Sequence, residues 1–290
     1  MAKGSLSVMT NFMTTVGLGV VFVYVAVVVL MYAFQRNLLY YPGAPKPTRA
    51  QSNVADMVEL AFTTADDLDL YAWYAAAKDS TKPTIVIFHG NAGTLGGRGF
   101  KARVFLDAGY GVMLAEYRGY GGNPGKPTQE GLFADARAAL VALKQQGVQE
   151  ADTVLYGESL GTGVVTQMAA EAQERGALIA ALILEAPFTS AVDVGAAKYP
   201  FLPVRMLLKD PFDSLACIKD VHVPVFVVHG QLDQTVPITL GKRLFEAANF
   251  PKESMWIARA DHNDLYDFGA GGGILEFLAK IDASRTAKSL

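Results

Sequence analysis

Asp152-Thr153-Val154-Leu155-Tyr156-Gly157-Glu158-Ser159-Leu160-Gly161-Thr162-Gly163-Val164-Val165 is the stretch that decides the fold. Its first five residues have the β-branched and aromatic character of a strand, and Thr162 to Ala170 read as a helix. Between them stands Gly157-x-Ser159-x-Gly161. A glycine-flanked serine on a strand–turn–helix is the setting a nucleophile elbow requires. The flanking glycines let the chain turn tightly and let the helix approach the sheet, so Ser159 projects above the carboxyl ends of the strands, where open α/β sheets bind ligands. The ordinary alternative is a glycine-rich turn whose serine only caps the helix. The rest of the chain decides between the two.

Outward from this stretch, strands are expected at 58–63, 70–75, 84–89, 111–117, 153–157, 181–185, 225–229 and 255–258. The inner runs, such as Ile85-Val86-Ile87-Phe88 and Val225-Phe226-Val227-Val228, are apolar on successive residues, as in strands covered by helices on both faces. Helices are expected near 98–108, 128–146, 159–175, 239–248 and 273–283. Strand and helix alternate, so the class is α/β with eight strands in a mostly parallel sheet. The first two strands flank Asp66-Asp67 and read as an antiparallel hairpin.

A serine hydroxyl needs a base, and the base needs an orienting carboxylate. On a parallel sheet with such an elbow, the chain order is nucleophile, acid, histidine. The chain has four histidines. His89 precedes the serine, and His222 and His229 precede or overlap the acid position. His262 follows the last strand, and Asp233 follows the strand at 225–229. Ser159, Asp233 and His262 thus fall after three separate strands in the required order and are the expected catalytic residues. Asp261 and Asp264 stand too close to His262 to reach its far ring nitrogen and read as loop groups. Glu185, at a strand end, is a weaker candidate acid. The expected oxyanion hole combines the backbone N–H of Leu160 with that of Asn91, in the loop His89-Gly90-Asn91-Ala92-Gly93. His89 is expected to brace this loop, Arg118 to pair with a carboxylate, and Cys217 to be a packed or linker thiol.

Hydrophobic residues make up 51% of the 290-residue chain and charged residues 18%, against roughly 25% charged in average soluble domains. That composition excludes disorder and a coiled coil. A net charge of −3 gives no case for a nucleic-acid partner. One cysteine excludes an intramolecular disulfide, and no ligand spacing suits a metal. Gly125-Lys126 is followed by Pro127, so it is not a phosphate loop. No cofactor is expected.

Much of the apolar excess lies in one place. Residues 16–34 carry no charge, and nineteen residues of helix span roughly 29 Å, close to the hydrocarbon thickness of a bilayer. The run is longer than a signal-peptide core and ends in bulky residues rather than a small-residue cleavage site. It has no polar stripe and precedes the whole folded domain. It is therefore read as a single retained membrane anchor, with Tyr32, Tyr40 and Tyr41 at the interface. Arg36, Lys46 and Arg49 after the run against Lys3 before it slightly favour a cytoplasmic catalytic domain. The expected organisation is a tail at 1–15, the anchor at 16–34, a linker at 35–53, the catalytic domain at 54–283 and a tail at 284–290. The 186–224 interval is too short for a large cap domain, but its apolar runs Tyr199-Pro200-Phe201-Leu202-Pro203 and Met206-Leu207-Leu208 suit a small flap over an acyl pocket.

His89-Gly90-Asn91-Ala92-Gly93, Tyr117-Arg118-Gly119-Tyr120-Gly121-Gly122, Gly157-Glu158-Ser159-Leu160-Gly161, Glu185-Ala186-Pro187-Phe188 and His229-Gly230-x-x-Asp233 occur in that order. The set resembles the Bem46-like and ABHD-type α/β-hydrolases, related to the serine-peptidase-like hydrolases. The likeness covers roughly 38–277, and Arg36-Asn37-Leu38-Leu39-Tyr40-Tyr41-Pro42 resembles the stretch after the hydrophobic segment with which many members begin. It implies an α/β-hydrolase fold whose second strand is antiparallel, and serine-hydrolase chemistry on acyl esters or thioesters. The ABHD depalmitoylases carry an N-terminal Cys-rich segment that this chain lacks, so their protein substrate carries over only weakly. An aminopeptidase-like amide hydrolase and a catalytically silent scaffold binding a ligand or partner are the alternatives.

Overall fold

Strand β3 (Thr84–Phe88) shows how the sequence builds the centre of the molecule. All five residues are buried; Ile85 and Ile87 face one apolar cluster, while Val86 and Phe88 face the other. The same double burial recurs in β4 (Gly111–Ala115), β5 (Thr153–Glu158), β6 (Ala181–Glu185) and β7 (Val225–Gly230). The computed structural model describes residues 2–288. It completes the sheet with β1 (Val58–Thr63), β2 (Asp69–Ala75) and β8 (Lys252–Ile257).

The sheet order is β8-β7-β6-β5-β3-β4-β2-β1. β2 runs antiparallel to both of its neighbours, and the other pairs are parallel. This is the α/β-hydrolase fold, with its eight strands and its one reversed strand second in the chain. Helices α2 (Gly99–Asp107) and α9 (Ala270–Lys288) cover one face through Phe105, Ile274 and Phe277. Helices α3 (Gln129–Gln145), α4 (Leu160–Glu174) and α8 (Ile238–Ala247) cover the other through Leu132, Val164 and Leu244. The parallel strands all end at one edge, which gathers the loops after β3, β5, β7 and β8.

The apolar N-terminal helix, α1, runs over Ala2–Leu39, past both ends of the 16–34 run. Its apolar span is unburied. The expected linker therefore starts later than position 35, and it is a packed connection. Gln35 and Arg36 stay helical because both bond to the distant segment 207–210. After the helix, Tyr41 and Pro42 pair in parallel with Ala92 and Gly93. Tyr40 is buried in the domain core rather than lying at a membrane interface, whereas Tyr32 and Tyr41 are exposed. At the other end α9 continues to Lys288, into the expected tail; residues 1, 289 and 290 lie outside the described range.

Between β6 and β7 the chain forms α5 (Ala191–Lys198), α6 (Val204–Leu207) and α7 (Ser214–Cys217). α5 and α6 lie beside α1 at the mouth of the strand edge, where the flap was expected.

Candidate active site

The turn between β5 and α4 holds Ser159 at φ 50° and ψ −115°, a left-handed conformation that a side chain rarely adopts. Two glycines make the turn feasible. A Cβ at Gly157 would strike the Gly161 carbonyl, and one at Gly161 would strike the Phe88 carbonyl. Ser159 N–H donates to the Glu185 carbonyl (2.8 Å), and Thr162 Oγ1 donates to the Ser159 carbonyl (2.6 Å). The strained residue is thus fixed from both sides.

Asp233 and His262 reach this point from the ends of β7 and β8. His262 Nδ1 lies 2.7 Å from Asp233 Oδ2, and its Nε2 lies 3.0 Å from Ser159 Oγ. The carboxylate can only accept, so the proton sits on Nδ1 and the Nε2 lone pair faces the serine hydroxyl. The side chain of Asp233 is fully buried. Its Oδ1 accepts from Thr235 N–H (2.8 Å) and Val236 N–H (2.7 Å). Burial alone would raise its pKa, but hydrogen bonds from His229, His262 and the Val236 amide outweigh it and hold the carboxyl well below the usual range.

His229 has a role that its position in the sequence did not disclose. Its Nε2 approaches both Asp233 Oδ2 (3.0 Å) and the Val236 carbonyl (3.1 Å). Both partners are acceptors, so Nε2 carries the proton, and Asp233 is gripped by two imidazoles. The turn after His229 brings the two together, with Gly241 leaving just enough room for the ring. His-x-x-x-Asp spacing at a strand end is the signal available in the sequence.

The other carboxylates lie where their loops hold them. Asp261 Oδ1 accepts from Gln234 N–H (3.0 Å) and His262 N–H (2.7 Å), and Asp264 Oδ1 accepts from Asp261 N–H (2.7 Å). Both shape the histidine loop. Arg118 forks onto Asp66 (2.7 and 2.8 Å) and pairs with Asp135 (2.8 Å). Cys217 is half-buried, with Sγ 3.1 Å from Gln167 Oε1.

Asn91 belongs to a braced loop. Its Nδ2 donates to the Leu39 carbonyl (2.7 Å), and its own carbonyl accepts from Tyr41 N–H and Tyr120 OH, both at 2.8 Å. The His89 ring bridges Glu116 Oε1 and the Gly90 carbonyl, each at 2.7 Å. Leu160 is the first residue of α4, and its N–H is one of the helix amides without an intrahelical acceptor. Asn91, Ser159 and Leu160 line one cavity of about 250 Å³. Its remaining walls are largely apolar: Val28, Met31 and Leu38 from α1, and Val194, Leu202, Val204 and Leu207 from the 191–208 segment.

Behind the elbow lies a second group that the sequence did not disclose. Glu158 accepts from Arg98 Nε (3.1 Å) and Lys101 Nζ (2.6 Å). Lys101 Nζ also meets both oxygens of Glu185 (2.8 and 2.9 Å), to which Tyr156 OH donates. Glu185 is thus committed to Lys101 and does not approach His262. Burial would neutralise Glu158, but Lys101 and Arg98 keep its pKa well below the ordinary value; Lys101 is held protonated against its burial by Glu158 and Glu185. Arg98 Nη1 further donates to the carbonyls of Ala92 (3.0 Å) and Thr94 (3.3 Å), joining the Asn91 loop to the elbow. Among the described residues, no group of His, Cys, Asp and Glu is arranged to hold a metal.

A hydroxyl facing an imidazole lone pair, with the imidazole held by a buried carboxylate, is equipped for nucleophilic attack on an electrophilic carbon.

Residues 79–210 match the serine aminopeptidase (S33) family of hydrolases. An uncharacterized protein of Mycobacterium tuberculosis is 39% identical over 240 residues, covering 82% of this chain and 84% of that protein. Protein bem46 of Schizosaccharomyces pombe is 30% identical over 274 residues, covering 89% of this chain and 90% of that one. The lysophosphatidylserine lipase ABHD12 of Danio rerio is 34% identical over 192 residues, 61% of this chain and 50% of that protein. Among solved structures, the Pyrococcus furiosus esterase Pf2001 superposes with a TM-score of 0.64 at 19% identity, over 83% of this chain and 98% of that one, a likeness of fold.

Proposed function

Since this chain belongs to the Bem46 and ABHD group of α/β-hydrolases, we propose that it is a membrane-anchored serine hydrolase that cleaves acyl esters through an acyl-enzyme intermediate. The observation that carries this reading is the unbroken line from Ser159 Oγ through His262 to Asp233 at the end of an apolar cavity.

In the proposed reaction His262 Nε2 takes the Ser159 proton as Oγ bonds to the acyl carbon, and Asp233 stabilises the resulting imidazolium. The amides of Asn91 and Leu160 receive the oxyanion. His262 returns the proton to the leaving alcohol as the ester C–O bond breaks. Water, deprotonated by the same nitrogen, then releases the acid and restores Ser159. The apolar walls favour an acyl chain over a polar acyl group. An aminopeptidase needs a carboxylate for the substrate's free amine, whereas among the described residues the cavity lining carries Lys198 and no acid. The zebrafish relative's lipase activity supports an ester of an apolar acid. The α1 helix is the proposed anchor, and the basic residues that follow it favour a cytoplasmic catalytic domain.

The test is a panel of p-nitrophenyl esters of increasing chain length. Hydrolysis is expected in the full-length protein and lost in Ser159→Ala. Equal turnover by the two proteins would contradict the assignment.

A further inference from the structure

The 199–208 segment is built onto α1. Tyr24 OH donates to the Phe201 carbonyl (2.9 Å). Gln35 Nε2 donates to the Leu207 carbonyl (3.1 Å), and Gln35 Oε1 accepts from Lys209 N–H (2.7 Å). Arg36 forks onto Asp210 at 2.9 and 3.1 Å. Tyr24 and Gln35 are eleven residues apart, which is about 16 Å of helix. The tip of the segment therefore lies far up the apolar helix, level with its middle. Irregular backbone persists at hydrocarbon depth only where its polar groups find partners, and α1 supplies them to Phe201 and Leu207. The tip itself presents Phe201 and Met206, 63% and 84% exposed, an arrangement that water disfavours and lipid does not, and its one charged side chain, Arg205, is ion-paired with Asp193 at 2.9 Å. The cavity in front of Ser159 runs between these same two elements, with Val28 and Met31 on one side and Leu202 and Val204 on the other.

We propose that the 199–208 segment is inserted in the bilayer beside α1, and that the cavity takes the acyl chain of an ester already resident in the membrane, which enters sideways from the lipid rather than from water. The proposal rests on the serine-hydrolase reading above and adds that α1 is a wall of the acyl site as well as a tether. The polar ester then meets Ser159 at the inner end of the cavity while its tail lies among largely apolar side chains.

The experiment uses the full-length protein in phosphatidylcholine vesicles with two substrates, p-nitrophenyl acetate in the water and p-nitrophenyl palmitate dispersed in the bilayer. Phe201 and Met206 do not line the cavity. Phe201→Asp with Met206→Asp is expected to lower palmitate turnover by about tenfold or more and to leave acetate turnover within about twofold. Met31→Trp, which fills the α1 wall, is expected to lower the palmitate-to-acetate ratio by about tenfold. Unchanged palmitate turnover in the double variant, or an unchanged ratio in Met31→Trp, overturns the proposal. Absence of both activities in the unaltered protein counts instead against the serine-hydrolase reading. A second arm is independent of turnover and covers misfolding of the double variant: Phe201→Trp should gain an emission component that brominated phosphatidylcholine quenches. Identical quenching with and without the added tryptophan contradicts insertion.

Discussion

Glu158 and Ser159 are adjacent in sequence and face opposite environments. Behind the elbow, Glu158 lies in a network with Glu185, Arg98, Lys101, Tyr156 and Tyr266, tied by hydrogen bonds. In front of it, Ser159 opens on a cavity walled by aliphatic side chains from α1 and the 191–208 segment. Directional bonds among charged groups lock a geometry, whereas apolar contacts are non-directional and tolerate ligands of varied length. The contrast teaches that the geometry of the elbow is fixed from behind the sheet edge, whereas the wall in front of it is built by the elements farthest from the sheet.

Four substitutions break or sharpen that contrast. The largest effect on rate is expected from Ser159→Ala, about 10⁴-fold or more in kcat, with little change in the melting temperature; steady-state kinetics and thermal unfolding measure the two separately. Lys101→Met acts on the rear network and should do the reverse. It leaves Glu185 without its cation and Glu158 with Arg98 alone, so the expected loss is about 3–5 kcal/mol and the melting temperature falls by about 10 °C. The pH dependence gives a further check. Glu158 and Asp233 have depressed folded-state pKa values, so their contribution is complete above the unfolded values of about 4.3 and 3.9 and is lost as the pH falls below them. The melting temperature of the unaltered protein should therefore drop on acidification through that range. In Lys101→Met the drop should be shallower, because Glu158 has lost one of its two cations; an equal slope would argue that Lys101 does not hold Glu158 ionised.

His229→Leu sits between the two regions. It removes one donor to the Asp233 carboxylate, and a hydrogen bond to a charged group contributes about 1.5–3 kcal/mol, so turnover should fall about tenfold or more while substrate affinity holds. Separate kcat and KM values test this. The smallest effect belongs to the front: Tyr24→Phe deletes one bond to the 199–208 segment, and stability should fall by only about 0.5–1.5 kcal/mol.

The inner strands were legible because burial on both faces leaves an unmistakable apolar run; β6 begins and ends at the residues its composition indicates. β8 was the least legible. It is an edge strand with half-buried residues, and Lys252, Glu253 and Ser254 give it no apolar signature, so only its second half was read. The end of α1 was misplaced for a different reason. Gln35-Arg36-Asn37 looks like an exit from an apolar helix, yet Gln35 and Arg36 remain helical through partners more than 170 residues away, and no local pattern encodes such a pairing. Tyr40 was misjudged in the same way. At the candidate site, Ser159, Asp233 and His262, which the fold brings within hydrogen-bond reach of one another, could be named as candidates because each follows a strand and chain order restricts the choice. Lys101 and Arg98 could not, since a basic residue on an amphipathic helix carries no mark of the buried acids it meets.

The central claim is that Ser159 is an activated nucleophile. Its most direct test is labelling of the full-length protein with a fluorophosphonate, followed by mass mapping of the modified peptide. The account predicts a single adduct on Ser159, abolished by Ser159→Ala and strongly slowed by His262→Ala. A folded protein that takes up no label, or one that labels equally well without Ser159, would contradict it.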